Sequence, residues 1–143
     1  MSSTTIQRRF THQLEAEYGH RDVTSEVERL TLESGIRTGV AIVQLVGSTG
    51  AVTTIEYEAG ALGDLRRALD MVAPVDAHYE HNERWGDGNG FSHIRSALLK
   101  TSISIPIVNG RLALGTWQQI VIINLDNRPR SREMVVVVLG EVD

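Results

Sequence analysis

Residues 79–119 read YEHNERWGDGNGFSHIRSALLKTSISIPIVNGRLALGTWQQ, and this stretch decides the fold. Ser102 to Val108 is a β-type run carrying Pro106. Proline has no N–H for a ladder, so that strand is predicted at an edge or bulge. Asn109-Gly110 follows at once and suits the two positive φ angles of a type I′ turn, which predicts an antiparallel return through Arg111–Leu114. Upstream, Ser92 is placed to cap a short helix through Leu99. A helix feeding a hairpin, with no regular strand–helix alternation, predicts antiparallel rather than parallel sheet.

The flanks agree. Gln118–Leu125 and Met134–Leu139 read as further strands. The second is apolar on both faces, so it is predicted to be central or covered by another subunit. Before the stretch, Ala61–Val72 has a helical stripe of Leu62, Leu65, Leu69 and Val72, and Pro74 bars its continuation. A polar loop is expected from Asp76 to Gly90. Thr38–Val46, a tight turn at Gly47-Ser48-Thr49-Gly50 and Ala51–Glu58 read as a hairpin. Thr24–Ser34 reads as a helix with a Ser25/Glu28 capping box and a Gly35 stop. Thr4–Glu15 reads as an edge strand, with Ile6, Phe10, His12 and Leu14 on one side, and His20 as an exposed turn residue. The predicted fold is a single α+β domain over 1–143: an antiparallel-rich sheet with two or three helices on it.

At 143 residues the chain can bury a real core without staples. Cysteine is absent, which removes disulfides, thiolate ligands and a Cys nucleophile. No apolar run reaches the eighteen residues of a membrane span, and MSSTTIQRRFTH has no apolar segment of a secretory leader; the cytoplasm is the expected compartment. Net charge is −4 with no extended basic run, so no nucleic-acid partner is expected. Arg128, Arg130 and Arg132 form the densest basic spot, either a solvated hairpin end or an anion contact.

Chemistry-bearing residues concentrate in the opening stretch. His81, His93 and Asp87 are the ligand types for a divalent ion such as zinc; the alternative is a pair of exposed or hydrogen-bonded histidines. Asp87-Gly88-Asn89-Gly90 can gather backbone N–H groups around a phosphate just before the helix opened by Ser92, or can simply need glycine for positive φ. Glu56 and Asp64 flank the start of the second helix, where a carboxylate complements the helix dipole or acts as a general base. Trp117 reads as packing in a bent strand, with Thr116 and Gln118 sharing the opposite face.

Taken in order, the motifs resemble the YjbQ-like family, known as secondary thiamine-phosphate synthase-like proteins. The residues that carry the resemblance are Tyr79-x-His81, Asp87-Gly88-Asn89-Gly90-x-Ser92-His93-Ile94, Ser102-x-x-Ile105-Pro106 and Asn109-Gly110-x-Leu112. Gly115-Thr116-Trp117-Gln118 and Pro129-Arg130-x-Arg132 continue the series. Asp22-Val23-Thr24, Ser48-Thr49 through Glu56, and Asp64 extend it over nearly the whole chain. The resemblance implies a compact α+β subunit, a homotrimer and a phosphorylated small-metabolite partner. It also implies a transferase activity that joins a pyrimidine pyrophosphate to a thiazole phosphate and releases pyrophosphate.

On that reading His81 and His93 bind a divalent metal (zinc or magnesium) with Asp87, or protonate the leaving group. Glu56 or Asp64 is the base. Ser48, Thr49, Gly88, Asn89, Gly90, Ser92, Thr116, Gln118 and Arg130 hold substrate. The chain departs from the pattern at three places. Gly47 stands where the family has a histidine, and Lys100 where it has glycine. Asn124-Leu125-Asp126-Asn127-Arg128-Pro129-Arg130 replaces Glu-x-Asp-Gly-Pro-Arg, with no acid at 124. The alternative reading is therefore a trimeric metabolite- or anion-binding protein without turnover. His81 and His93 are expected to approach one another in a polar pocket with Asp87, Asn89 or Thr116 near.

Overall fold

A computed structural model describes residues 2–143. The elements run β1 (Ser3–Leu14), β2 (His20–Asp22), α1 (Thr24–Ser34), β3 (Thr38–Leu45), β4 (Gly50–Glu56), α2 (Ala59–Val72), α3 (Glu80–Trp85), α4 (Gly90–Leu99), β5 (Ser102–Val108), β6 (Arg111–Leu112), β7 (Gln118–Asn124) and β8 (Arg130–Glu141). They build two antiparallel sheets, one in the order β1-β8-β3-β5-β6 and one in the order β2-β7-β4. This is the predicted α+β class.

The larger sheet is organised on β8, which lies between β1 and β3 as its apolar run requires. Met134, Val136 and Val138 point into the core with Ala41 and Val43 of β3, Ile105 and Ile107 of β5, and Val27 and Leu30 of α1. Each such side chain contributes about 1.5–3 kcal/mol of burial. On the outer face Val137 lies opposite Ile42, and Leu139 opposite Val40; Ile42 and Leu139 remain exposed. The turn at Asn109-Gly110 has φ of 52° and 82°, and β5 and β6 pair across it.

The smaller sheet has an interior strand that is apolar on both faces. Ile120 and Ile122 of β7 join the core under the large sheet. Val121 and Ile123 pack on the opposite side with Leu62 and Leu69 of α2. The order is therefore large sheet, small sheet, then α2, with β7 as the shared wall.

Several expectations are corrected. Residues 38–58 do not form a hairpin. β3 pairs with β5 and β8, whereas β4 pairs with β7. Val46 N–H still donates to Glu133 in the large sheet, and Thr49 C=O already accepts from Leu125 at the small one. Gly47, at φ 130°, makes this corner possible. The capping box at Ser25 is also absent: the cap residue of α1 is Val23, whose side chain makes no cap bond, and Asp22 just before it accepts from the backbone N–H and hydroxyl of Thr24. A further helix, α3, occupies the expected loop, making four helices among the described residues. His20 lies in β2, where its ring contacts Tyr18 and Tyr57. Trp117 does not pack; it is 72% exposed. Its corner is closed instead by Gln118, whose backbone and side chain both bond Gly115.

Candidate functional site

The sheet-switching corner, the α3–α4 segment and the β7–β8 connection meet at one cavity of about 510 Å³. It is lined by Gly47, Ser48, Thr49, His81, Trp85, Asp87, Asn89, His93, Asp126, Arg130 and Arg132. Secondary structure explains how residues so far apart converge. Gly86, at φ 69°, closes α3 and turns the chain back, and Gly88, at φ 70°, completes the reversal into α4. His81 near the start of α3 and His93 in the first turn of α4 therefore face each other. Their ring centroids are 4.3 Å apart with planes tilted by 40°.

The floor of the cavity is ionic. Asp126 is fully buried and accepts from Thr49 Oγ1 at 3.0 Å, Asn89 Nδ2 at 3.3 Å, Asn127 N–H at 2.7 Å and Arg130 Nε at 2.8 Å. Burial pushes its pKa up, but the hydrogen bonds from Arg130, Asn89, Asn127 and Thr49 together outweigh this and hold it below the ordinary value. Arg132 is 6% exposed and donates through Nη2 to Thr49 Oγ1 at 2.6 Å and Asn124 Oδ1 at 2.7 Å. Burial lowers its pKa, Asp126 raises it, and the neighbouring Arg130 lowers it. A guanidinium keeps its proton under any such shift. The reading of residues 128–132 as a solvated hairpin end thus holds for Arg128, which is exposed, and fails for Arg132.

The imidazoles differ from that floor. Burial and the neighbouring His81 lower the pKa of His93, against opposing pulls from Asp126 and Asp87. A neutral ring is a better proton acceptor or metal ligand than an imidazolium. His81 Nδ1 lies 3.4 Å from Asp87 Oδ1, an ion-pair distance without hydrogen-bond geometry: the atom is buried and has no hydrogen-bond partner.

The cavity gathers His81, His93, Asp87, Ser48, Thr49, Asn89 and Arg130 from the expected set. Others lie elsewhere in this chain. Glu56 ends β4 and is exposed; Asp64 is exposed and pairs with Arg67. The carboxylate that caps α2 is Glu58, through Gly60 and Ala61 N–H. Thr116 is exposed, and Gln118 donates to Thr54. The Gly90 N–H is already bonded to Asn82 Oδ1, and a Cβ there would lie 2.5 Å from Tyr79; Gly88 takes the positive φ of the reversal. Ser92 is buried with its hydroxyl unpartnered, not capping; Asn89 occupies the cap position of α4.

Asp126 and Trp85 are the lining residues that sequence reasoning did not select; Gly47 entered only as a departure from the family pattern, and Arg132 only as one member of the basic spot. A signal existed for Asp126, the acidic neighbour of that spot in one polar run between two apolar strands. Trp85 gave none.

A divalent ion was expected on His81, His93 and Asp87. Among the described residues no group of three or more His, Cys, Asp or Glu is arranged to hold a metal ion. Asp126 is saturated by its four donors, and the space above Gly47 belongs to Arg132: a Cβ at 47 would lie 2.7 Å from Arg132 Nη1. The donor set does not fit a closed three-ligand site.

Comparison with known proteins places this architecture. The family described as UPF0047 protein YjbQ-like matches residues 8–141. A UPF0047 protein of Methanothermobacter thermautotrophicus is 42% identical over 120 residues, covering 84% of this chain and 82% of its own. UPF0047 protein YugU of Bacillus subtilis is 34% identical, covering 83% and 88%. Among solved structures, a YbjQ-like protein of unknown function from Sulfolobus solfataricus superposes with a TM-score of 0.92 at 26% identity, covering 98% of this chain and all of its own. A hypothetical protein from Aeropyrum pernix gives 0.86 at 30% identity, covering 95% and 99%. With the match running through every element from β1 to β8, the chain belongs to the UPF0047 YjbQ-like family.

Proposed function

We propose that this protein binds a small phosphate- or pyrophosphate-bearing metabolite in the His81–His93 cavity, acting in the cytoplasm as a homotrimer. One observation carries the reading: two imidazoles 4.3 Å apart open on the same cavity as Arg130 and Arg132. That combination offers fixed positive charge for an anion and a proton acceptor or donor beside it. The resemblance supplies the reaction, a thiamine-phosphate synthase-like transfer releasing pyrophosphate, in which His81 or His93 would protonate the departing oxygen. The apolar outer face of the large sheet, with Ile42 and Leu139 exposed, supports association of subunits.

The second reading is binding without turnover. It is favoured by the position of Glu56 and Asp64, which leaves the cavity without either proposed base. Binding itself is tested by thermal unfolding with pyrophosphate, thiamine phosphate and citrate. A ligand at a hundred times its Kd should stabilise the native state by about 2.7 kcal/mol; no shift with any of the three would refute binding. Pyrophosphate release from the paired pyrimidine and thiazole substrates separates the two readings. Metal analysis of protein purified without chelator tests a divalent ion on His81, His93 and Asp87, and light scattering tests the trimer.

A further inference from the structure

We infer that Arg132, not the more exposed Arg130, is the charge that recognises the ligand, and that the group it takes is a phosphate reached across Gly47. This deepens the binding reading above and rests on it.

The two arginines are in different states. Arg130 is committed: its Nε and Nη2 both lie 2.8 Å from Asp126 Oδ2, so its fork is already on a carboxylate. Arg132 is held only by neutral oxygens, those of Thr49 and Asn124. Its Nε is buried and unpartnered. Its Nη1 points toward Gly47, and both residues line the cavity. A buried cation without a directly bonded counter-charge is costly, and an incoming oxyanion relieves that cost with charge-assisted bonds. Glycine at 47 is what leaves the approach open, because any side chain there would begin 2.7 Å from Nη1.

A second orphan narrows the ligand. Asn89 is 4% exposed and lines the same cavity. Its Nδ2 is directed at Asp126, which fixes the amide orientation and leaves Oδ1 buried without a donor. Inorganic phosphate keeps a hydroxyl throughout the neutral range, and a phosphate ester keeps one below its second pKa near 6; that hydroxyl can satisfy this oxygen while the other oxygens meet Arg132. An ionised carboxylate has no such hydrogen.

The test is titration with inorganic phosphate, and separately with succinate, which has no hydroxyl, at constant ionic strength, read by calorimetry. It uses the unmodified protein, Arg132→Gln, and Arg128→Gln, which removes an equal charge from an exposed neighbour. Phosphate affinity should fall at least about tenfold in Arg132→Gln and less than about threefold in Arg128→Gln, with succinate weaker than phosphate on the unmodified chain. Should Arg132→Gln not fold, the side-chain Nε–H resonances of the unmodified protein decide: phosphate should shift that of Arg132 more than that of Arg130. Equal losses in the two variants, a larger Arg130 response or tighter succinate binding overturns the inference while leaving the pocket reading intact. Absence of any anion binding to the unmodified chain overturns both.

Discussion

Two glycine turns in this molecule look alike in sequence and do opposite things. Asn109-Gly110 returns the chain into the same sheet, pairing β5 with β6. Gly47-Ser48-Thr49 carries it from one sheet into the other and lines the cavity. Both contain a glycine at positive φ. A turn signal therefore reports that the chain bends; the destination of the next strand is set by partners far away in sequence. At Gly47 those partners are Glu133 and Leu125, whose backbones bond Val46 and Thr49.

The contrast can be broken experimentally, beginning with the ion network beneath the second turn. Asp126→Asn removes the one carboxylate that faces both Arg130 and Arg132, and should cost about 3–5 kcal/mol in denaturant unfolding. A loss below about 1 kcal/mol would show that the corner is not held by this network. Gly47→Ala should cost about 2 kcal/mol through backbone strain and should also abolish phosphate-induced stabilisation. Gly110→Ala, at φ 82° with only ordinary contacts around its Cβ position, should cost about 1 kcal/mol with phosphate binding unchanged. If both glycine variants lose binding equally, the two turns are not functionally distinct.

The smallest effect concerns pH. His93 has a depressed pKa in the folded chain, so near and below its ordinary value of about 6.5 the unfolded state takes up more protons. Its contribution to stability is fully present above that value and declines as pH falls toward the folded pKa. Nuclear magnetic resonance titration should place the His93 transition below 6.5; a transition above it would remove the desolvated, neutral imidazole from the site.

The elements were legible wherever local chemistry and burial agree. The stripe Leu62, Leu65 and Leu69 made α2, with Val72 left exposed, and Met134–Leu139 made the centre of the large sheet. The separate pairing of β3 and β4 was not legible, because both strands alternate well and only tertiary contacts choose their neighbours. The helix α3 was hidden in Glu80–Trp85, a polar six-residue segment with no buried side chain and hence no periodic signal. The site divided in the same way. His81 and His93 were readable as chemically capable residues that the glycines bring together. Arg132 was obscured by its neighbours: Arg130 and Arg132 share one face of β8, so their spacing does not tell them apart, and the partners that hold the second, Thr49 and Asn124, come from outside that strand. Glu56 and Asp64 show the converse, acids chosen for their place near a helix start that Glu58 in fact caps.

The strand shared between the two cores has a consequence for motion. β7 cannot detach from α2 without also leaving the core beneath the large sheet, so its amides have no local opening through which to exchange with solvent. The N–H groups of Val121, Ile122 and Ile123 should be among the slowest in deuterium exchange, reporting the free energy of global unfolding. Asn124 and Asp126, at the end of that strand, inherit its rigidity. A ligand that grips the floor of the cavity would thus slow exchange along the whole of β7, far beyond the atoms it touches.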